Sequence, residues 1–272
     1  LAKKLLKIHK WAQMAKFCKS GGEACMIAVR LARGYSKRQN IAFCGYHGWH
    51  DWYLSANLKN KRNLDGQLLT GLSTIGVDKV FKDSMYPFFY NDINSLKKLL
   101  TKKNDIGIII MEPMRFEKPK QNFLKEVKKL AIKKGLILIF DEITSGFHDN
   151  LGGLHLKLGI NPDIAIFGKA MANGFPISAI IGKKKIMKCA NKSFISSTMW
   201  TEQIGFVASN AAIEKIEKFK INSKNILKGK KIKKIWELAA KKYNLNILIG
   251  GIDSLPSFKF NYPNQEIIST FM

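Results

Sequence analysis

Short runs of consecutive apolar residues alternate along this chain with longer stretches whose apolar positions recur at helical spacing. Within residues 23–35, Ala24, Ile27, Ala28 and Leu31 fall on one helical face. Residues 41–44 form a short apolar run of strand length, whereas residues 50–76 follow neither period and read as an ordered, irregular loop region holding Trp52 and the turn Asp65-Gly66. Residues 80–81 and 88–90 are strand candidates. A helix is predicted over 92–103 with Asn91 or Asp92 as its cap. The unbroken, β-branched run at 106–111 predicts a strand buried on both faces. A helix over 122–134 is ended by Gly135, and the next buried strand spans 136–141. Further strands are predicted at 164–167 and 177–181, then helices at 184–190, 202–219 and 226–243. Two isolated strands at 246–249 and 257–260 close the pattern.

Strands separated by helices of this length predict an α/β fold: a mostly parallel sheet covered by helices on both faces. Ligands of such sheets bind beyond the carboxyl ends of the strands. The pattern changes near residue 220, where a lysine-rich helix and isolated strands take over. Residues 1–220 therefore read as a large domain and 221–272 as the beginning of a smaller α+β domain.

Composition narrows the classes. At 272 residues and 46% hydrophobic, the chain has material for a sizeable core. The net charge of +26 suggests a polyanion at first sight. Nearly all of that charge is lysine, with arginine only at 30, 33, 38, 62 and 115, and the lysines decorate helix faces. Readers of phosphates and bases lean on the planar fork of arginine, so the charge reads as solvated surface and no nucleic-acid partner is expected; the run 228–234 is its densest stretch. No apolar run approaches the roughly 18–20 residues that cross a membrane, so no membrane partner is expected either. The cysteines, Cys18, Cys25, Cys44 and Cys189, show no C-x-x-C and no zinc spacing. They read as free thiols of a cytoplasmic protein, with no metal. Leu1 opens a basic stretch, LAKKLLKIHK, that reads as the end of a helix, and residues 269–272 carry no terminating feature; the chain reads as an internal piece of a longer protein.

The candidate chemistry begins with Asp141, closing the strand LILIFD, and Lys169, closing the next apolar strand. They place a carboxylate and an amine at one edge of the sheet. A pyridoxal phosphate site uses both: an anion for the pyridinium nitrogen and an amine for the aldehyde. Between Phe167 and Met171, Lys169 is expected to be buried and thereby nucleophilic. The alternative is a lysine whose head group reaches solvent. Asp141 has an alternative as a helix cap or structural ion pair, and Glu142 beside it reads as structural. Ser20-Gly21-Gly22-Glu23 precedes a helix, and a glycine turn at a helix N-terminus offers backbone N–H groups to a phosphate. Tyr46-His47-Gly48 follows the short strand at 41–44. An aromatic there can stack on a cofactor ring or simply pack in the core.

In order along the chain, SGGEA, CGYHGWHDW, MEP, FDEITSGF, LGG, NPDIAIFGKAMANGFPISAIIG and FISSTMWTE resemble the motif series of class III aminotransferases. The nearest likeness is to the glutamate-1-semialdehyde aminomutase group and the aminotransferases that accompany it. The resemblance covers nearly all of the chain up to about residue 220. It implies the large domain of a fold type I pyridoxal phosphate transferase, with pyridoxal 5'-phosphate as cofactor. By resemblance, Lys169 is the Schiff-base lysine and Asp141 the pyridinium partner. Ser20, Gly21 and Gly22 form the phosphate turn, Tyr46 with His47 supplies the stacking segment, and Ile143 packs on the ring. Thr198 would reach the phosphate in a neighbouring subunit, which implies a homodimer with shared sites. Three positions depart from the family pattern. Gly22 stands where many relatives have threonine, Thr144 where many have glutamine near the cofactor's 3'-oxygen, and WTEQ follows Thr198. Glu117 falls where some relatives place an acidic gate.

The expected function is amino transfer between a small-molecule amino donor and a keto or aldehyde acceptor. The alternative is the aminomutase reaction that makes 5-aminolevulinate. A third reading is an inactive basic binding protein on the same scaffold, against which the intact Asp141 and Lys169 pair argues.

Overall fold

A computed structural model describes residues 1–67, 71–120 and 122–262. The chain opens with helix α1 (Ala2–Ile8) and strand β1 (Met14–Cys18), then α2 (Gly21–Ser36) and β2 (Asn40–Cys44). Two single-turn helices follow, α3 (Asp51–Leu54) and α4 (Ala56–Lys59), and then β3 (Met85–Pro87). The central units are α5 (Ile93–Lys102), β4 (Ile106–Met111), α6 (Phe123–Lys134) and β5 (Ile137–Asp141). After them come α7 (Leu154–Leu158), β6 (Ile164–Phe167), β7 (Ser178–Gly182) and α8 (Lys184–Met187). The last elements are α9 (Gln203–Lys218), α10 (Ile221–Lys242), β8 (Ile247–Ile252) and β9 (Leu255–Phe260).

Seven strands form one sheet in the order β1-β7-β6-β5-β4-β2-β3, in which β7 alone runs against the rest. Side chains alternate across it. Ile108, Ile110, Ile139 and Ile166 face one side, where Ala24, Ala28 and Leu31 of α2 cover them. Ile109, Met111, Leu138 and Phe140 face the other, under Leu96 and Leu100 of α5 and Val127 and Ala131 of α6. Towards β7, Ala165, Phe167 and Ile181 on that second side are covered by Leu5 of α1 and Ile213 and Ile216 of α9. Burial on both faces accounts for the continuous apolar runs in these strands.

Helix boundaries follow local chemistry. Ser20 caps α2 in a capping box, its side chain accepting from the Glu23 N–H while Glu23 accepts from the Ser20 N–H. Asp92 caps α5 by accepting from the N–H groups of Asn94 and Ser95. Gly135 ends α6 at φ +62, a left-handed conformation open to glycine.

Three expectations are corrected and one strand is added. Residues 79–81 form a 3₁₀ turn with Val80 exposed, not a strand. The neighbouring strand is Met85–Pro87 rather than 88–90; β3 is a sheet edge, where Pro87 needs no donor. The two terminal strands are not isolated but pair as an antiparallel hairpin through Asp253 and Ser254, against which α10 packs. Edge strand β1 went unpredicted, since Lys16 breaks its apolar pattern. Within the loop region expected at 50–76, residues 68–70 lie outside the described residues, as does the terminal stretch 263–272.

The four cysteines are free. Among the described residues no helix is long and apolar enough to cross a membrane. In the lysine run at 228–234, Lys233 binds the Gly251 carbonyl at 2.8 Å and Asp253 at 2.9 Å, fastening α10 to the hairpin.

Candidate active site

At the carboxyl ends of β2 and β5 and the N-terminus of α2, a cavity of about 330 Å³ is lined by Ser20, Gly21, Gly22, Tyr46, His47, Asp141, Ile143, Thr144 and Lys169. Every site residue expected from the sequence lines it except Thr198 and Glu117. Lys19, Trp49 and the segment 175–178 also contribute to the lining; the last two fall within the quoted motifs, but none of the three was assigned a role.

Asp141 ends β5 and is 4% exposed. Its Oδ2 accepts from His47 Nδ1 at 2.8 Å and from Cys25 Sγ at 3.3 Å, and its Oδ1 accepts from the Ile143 N–H at 3.1 Å. A carboxylate only accepts, so the hydrogen of His47 sits on Nδ1. His47 Nε2 is buried without a partner. Cys25, His47 and Asp141 offer metal-ligand atoms within 4.8 Å of one another, a group with no linear signature. Their hydrogen bonds already occupy those atoms. The hydrogen bonds from His47 Nδ1 and Cys25 Sγ to Asp141 Oδ2 make the group a hydrogen-bond cluster in this structure.

The strand-end carboxylate comes with a second, more distant one. Gly45 turns the chain out of β2 at φ +112, and a Cβ there would stand 2.7 Å from Glu112 Oε2. That oxygen accepts from the Tyr46 N–H at 3.1 Å and from Arg115 Nη1 at 2.9 Å. Burial pushes the Glu112 carboxyl up against the opposing pull of the Arg115 guanidinium. Glu112, the acid of the MEP motif, thus holds the backbone of Tyr46, a role that required the fold to be seen.

The phosphate turn is built as expected. In the first turn of α2, Ser20 takes the Glu23 and Ala24 N–H groups through its side chain and carbonyl. The N–H groups of Gly21 and Gly22 have no partner among the described residues, and they open the helix where its dipole favours an anion. Gly22 stands where many relatives have threonine, and a Cβ there would lie 2.4 Å from His50 Cε1 as the side chain now sits. The imidazole of His50 occupies the space of the missing side chain.

Lys169 corrects one expectation. It follows β6 by two residues, in a 3₁₀ turn, and is exposed rather than buried. Its Nζ donates to Thr144 Oγ1 at 3.1 Å, so Thr144 orients the amine from the position where many relatives have glutamine. Lys169 adopts φ +42, a left-handed conformation costing a non-glycine residue about 1 kcal/mol or more, of the kind that clusters at functional sites.

Two residues stand apart. Thr198 begins the 3₁₀ turn Thr198–Thr201 and is exposed, outside this cavity. Glu117 is exposed too and lines a separate cavity of about 290 Å³ with Arg115, Phe116 and Lys259; it does not reach the Lys169 cavity.

The lining fits pyridoxal phosphate on its own terms. The volume lies in the range of small-molecule sites. One wall offers a buried carboxylate, another a helix N-terminus with two unpaired N–H groups, and the lining also carries the primary amine of Lys169 and the apolar surfaces of Tyr46 and Ile143.

Comparison with known proteins agrees. The family model for aminotransferase class-III matches residues 1–259. The chain is 38% identical over 239 residues to a 3-aminobutyryl-CoA aminotransferase of Cloacimonas acidaminovorans, covering 85% of this chain and 54% of that protein. It is 37% identical over 231 residues to a glutamate-1-semialdehyde 2,1-aminomutase of Nitrosopumilus maritimus, covering 81% and 53%. The FumI protein of Sphingopyxis sp. MTA144, solved in its PLP internal aldimine form, superposes with a TM-score of 0.83 at 24% identity, over 96% of this chain and 61% of that one. At that identity the likeness speaks for the fold, which is fold type I of the pyridoxal phosphate transferases. The chain spans about half the length of the curated relatives it matches.

Proposed function

The chain belongs to the class-III aminotransferase family, and we propose that it carries the cofactor-binding part of a pyridoxal phosphate-dependent aminotransferase. The observation that carries this reading is the single cavity onto which Asp141, Lys169 and the glycine turn of α2 all open. When bound, the cofactor supplies an electron sink for the substrate's α-carbon. The chain's residues divide the remaining work. The N–H groups of Gly21 and Gly22 bind the phosphate at the positive end of α2. Asp141 offers its carboxylate to the pyridinium nitrogen, while Tyr46 and Ile143 confine the ring. Lys169 Nζ would hold the cofactor's aldehyde and would move a proton at the substrate's α-carbon, and Thr144 Oγ1 accepts from Lys169 Nζ and orients it. The substrates are a small-molecule amino donor and a carbonyl acceptor.

We read the active form as a cytoplasmic homodimer. Thr198 is exposed, and so are Phe194, Met199, Ile204 and Val207 in the same stretch of sequence, large apolar side chains left in solvent by the single chain. A second copy covering them would bring Thr198 towards the partner's phosphate turn. Residues from 221 onward are read as the start of a smaller domain, supported by the packing of α10 on the β8–β9 hairpin.

The test is to add pyridoxal phosphate to the full-length protein, reduce with borohydride and map the label by mass spectrometry. Label on Lys169, absent from Lys169→Ala, is expected. Wild type and Lys169→Ala both unlabelled would sink the reading. The aminomutase alternative is kept alive by the 37% identity to an aminomutase. With glutamate 1-semialdehyde as sole substrate, formation of 5-aminolevulinate supports it; consumption of an external amino donor without that product supports intermolecular transfer.

A further inference from the structure

Next to Asp141, and outside the cavity lining, lies a buried thiol. Cys25 is 1% exposed and does not line the cavity, and its Sγ stands 3.3 Å from Asp141 Oδ2. We propose that Cys25 is a positioning residue for the cofactor, its thiol fixing which oxygen of Asp141 is presented to the pyridinium nitrogen.

The argument counts lone pairs. A carboxylate offers about four acceptor positions. His47 Nδ1 and Cys25 Sγ occupy both on Oδ2, and the Ile143 N–H takes one on Oδ1. Among the described residues the position left over is on Oδ1. Without the thiol, Oδ2 regains a free lone pair, and only the His47 and Ile143 bonds restrain the carboxylate about its bond to Cβ. Burial, and then the Asp141 charge, push the Cys25 thiol well above its usual range. It therefore stays protonated and serves as a donor.

Its location adds a second constraint. Cys25 lies three residues beyond Gly22 on α2, nearly one turn from the phosphate-binding N–H groups. One rigid helix thus presents the phosphate contacts and braces the carboxylate meant for the opposite end of the cofactor. A shift of either end along α2 would be felt at the other.

The inference rests on the cofactor reading, and the experiment separates the two. Apo full-length protein is titrated with pyridoxal phosphate, following absorbance, for wild type, Cys25→Ala, Cys25→Thr and Cys25→Val. Thr and Val fill nearly the same volume and differ in a hydroxyl donor, so any packing penalty cancels between them. Cys25→Ala is expected to bind about fivefold more weakly than wild type, and Cys25→Val about fivefold more weakly than Cys25→Thr, the effect of one hydrogen bond. The pH midpoint of the bound cofactor's absorbance should move in Ala and Val but not in Thr. Equal affinities and equal midpoints in Thr and Val, with only the melting temperature altered, would overturn the positioning role while leaving the cofactor reading intact. Failure of the wild type itself to bind would overturn both.

Discussion

His47 Nδ1 lies 2.8 Å from Asp141 Oδ2, with both side chains closed off from solvent. The bond orients the carboxylate that would meet the cofactor ring and uses the only hydrogen a neutral imidazole carries. Hydrogen bonds to charged groups are worth about 1.5–3 kcal/mol. His47→Ala should therefore weaken pyridoxal phosphate binding by roughly tenfold or more, measured by absorbance titration of apo protein. Unchanged affinity would show that Asp141 needs no support from this side.

Gly22 is set by His50. Gly22→Ala puts a Cβ 2.4 Å from an imidazole carbon unless the His50 side chain or the loop at 48–50 moves. Overpacking of this kind costs about 1–3 kcal/mol. We expect a lower melting temperature together with weaker cofactor binding. In the double variant Gly22→Ala/His50→Ala, which opens the space, much of the melting temperature should return. A double variant no more stable than Gly22→Ala would break the steric link.

The N-terminal segment is tied to the site strand through buried histidines. His155 Nδ1 lies 2.6 Å from Glu142 Oε1, and Trp11 Nε1 donates to His155 Nε2 at 2.9 Å. His9 stacks on His155 with centroids 5.4 Å apart. Burial lowers the His9 pKa to about 4, with a backbone bond to Leu5 acting the other way and His155 adding to the shift. A folded-state value below the unfolded one, near 6.5, means that the unfolded chain takes up the proton first as pH falls. The contribution of His9 is complete above about pH 6.5 and is lost on descending to about pH 4, a span of roughly 3 kcal/mol. Urea midpoints between pH 7 and 4 should fall less steeply for His9→Phe than for wild type; parallel curves would contradict this.

The apolar surface near Thr198 predicts the assembly. Ile204→Glu combined with Met199→Lys should give a monomer by sedimentation, with lost cofactor affinity, since both exposed side chains would meet a second copy. Thr198→Ala should remain dimeric and bind cofactor several-fold more weakly, the loss of about one hydrogen bond to a charged group. A wild type that sediments as a monomer at micromolar concentration would rule out the shared site.

Much of the site was legible because its parts are local. A glycine turn before a helix, or an acid closing an apolar run, carries its meaning within a few residues. So Ser20, Gly21, Gly22, Tyr46 and Asp141 could be placed from the chain's order, Ile143 came from the family resemblance alone, and the cavity gathers them all. The exposure of Lys169 was misjudged because apolar neighbours in sequence say nothing about a turn that carries the side chain outward. The strand Met14–Cys18 escaped notice because edge strands are only half buried and tolerate a lysine.

The sequence by itself determined the alternation of strands and helices, the motif order and the chemical types available at the strand ends, since these depend on backbone periodicity and near neighbours. Only the tertiary structure decided which groups act on them. Cys25 meets Asp141 across 116 positions and His47 meets it across 94. His50 fills the space beside Gly22, and Glu112 holds the backbone of Tyr46. Such partners are chosen by sheet order and by helix α2 crossing the sheet, so no spacing along the chain records them. The carboxylate was visible in the sequence; its orientation, and the thiol and imidazole that set it, are properties of the fold.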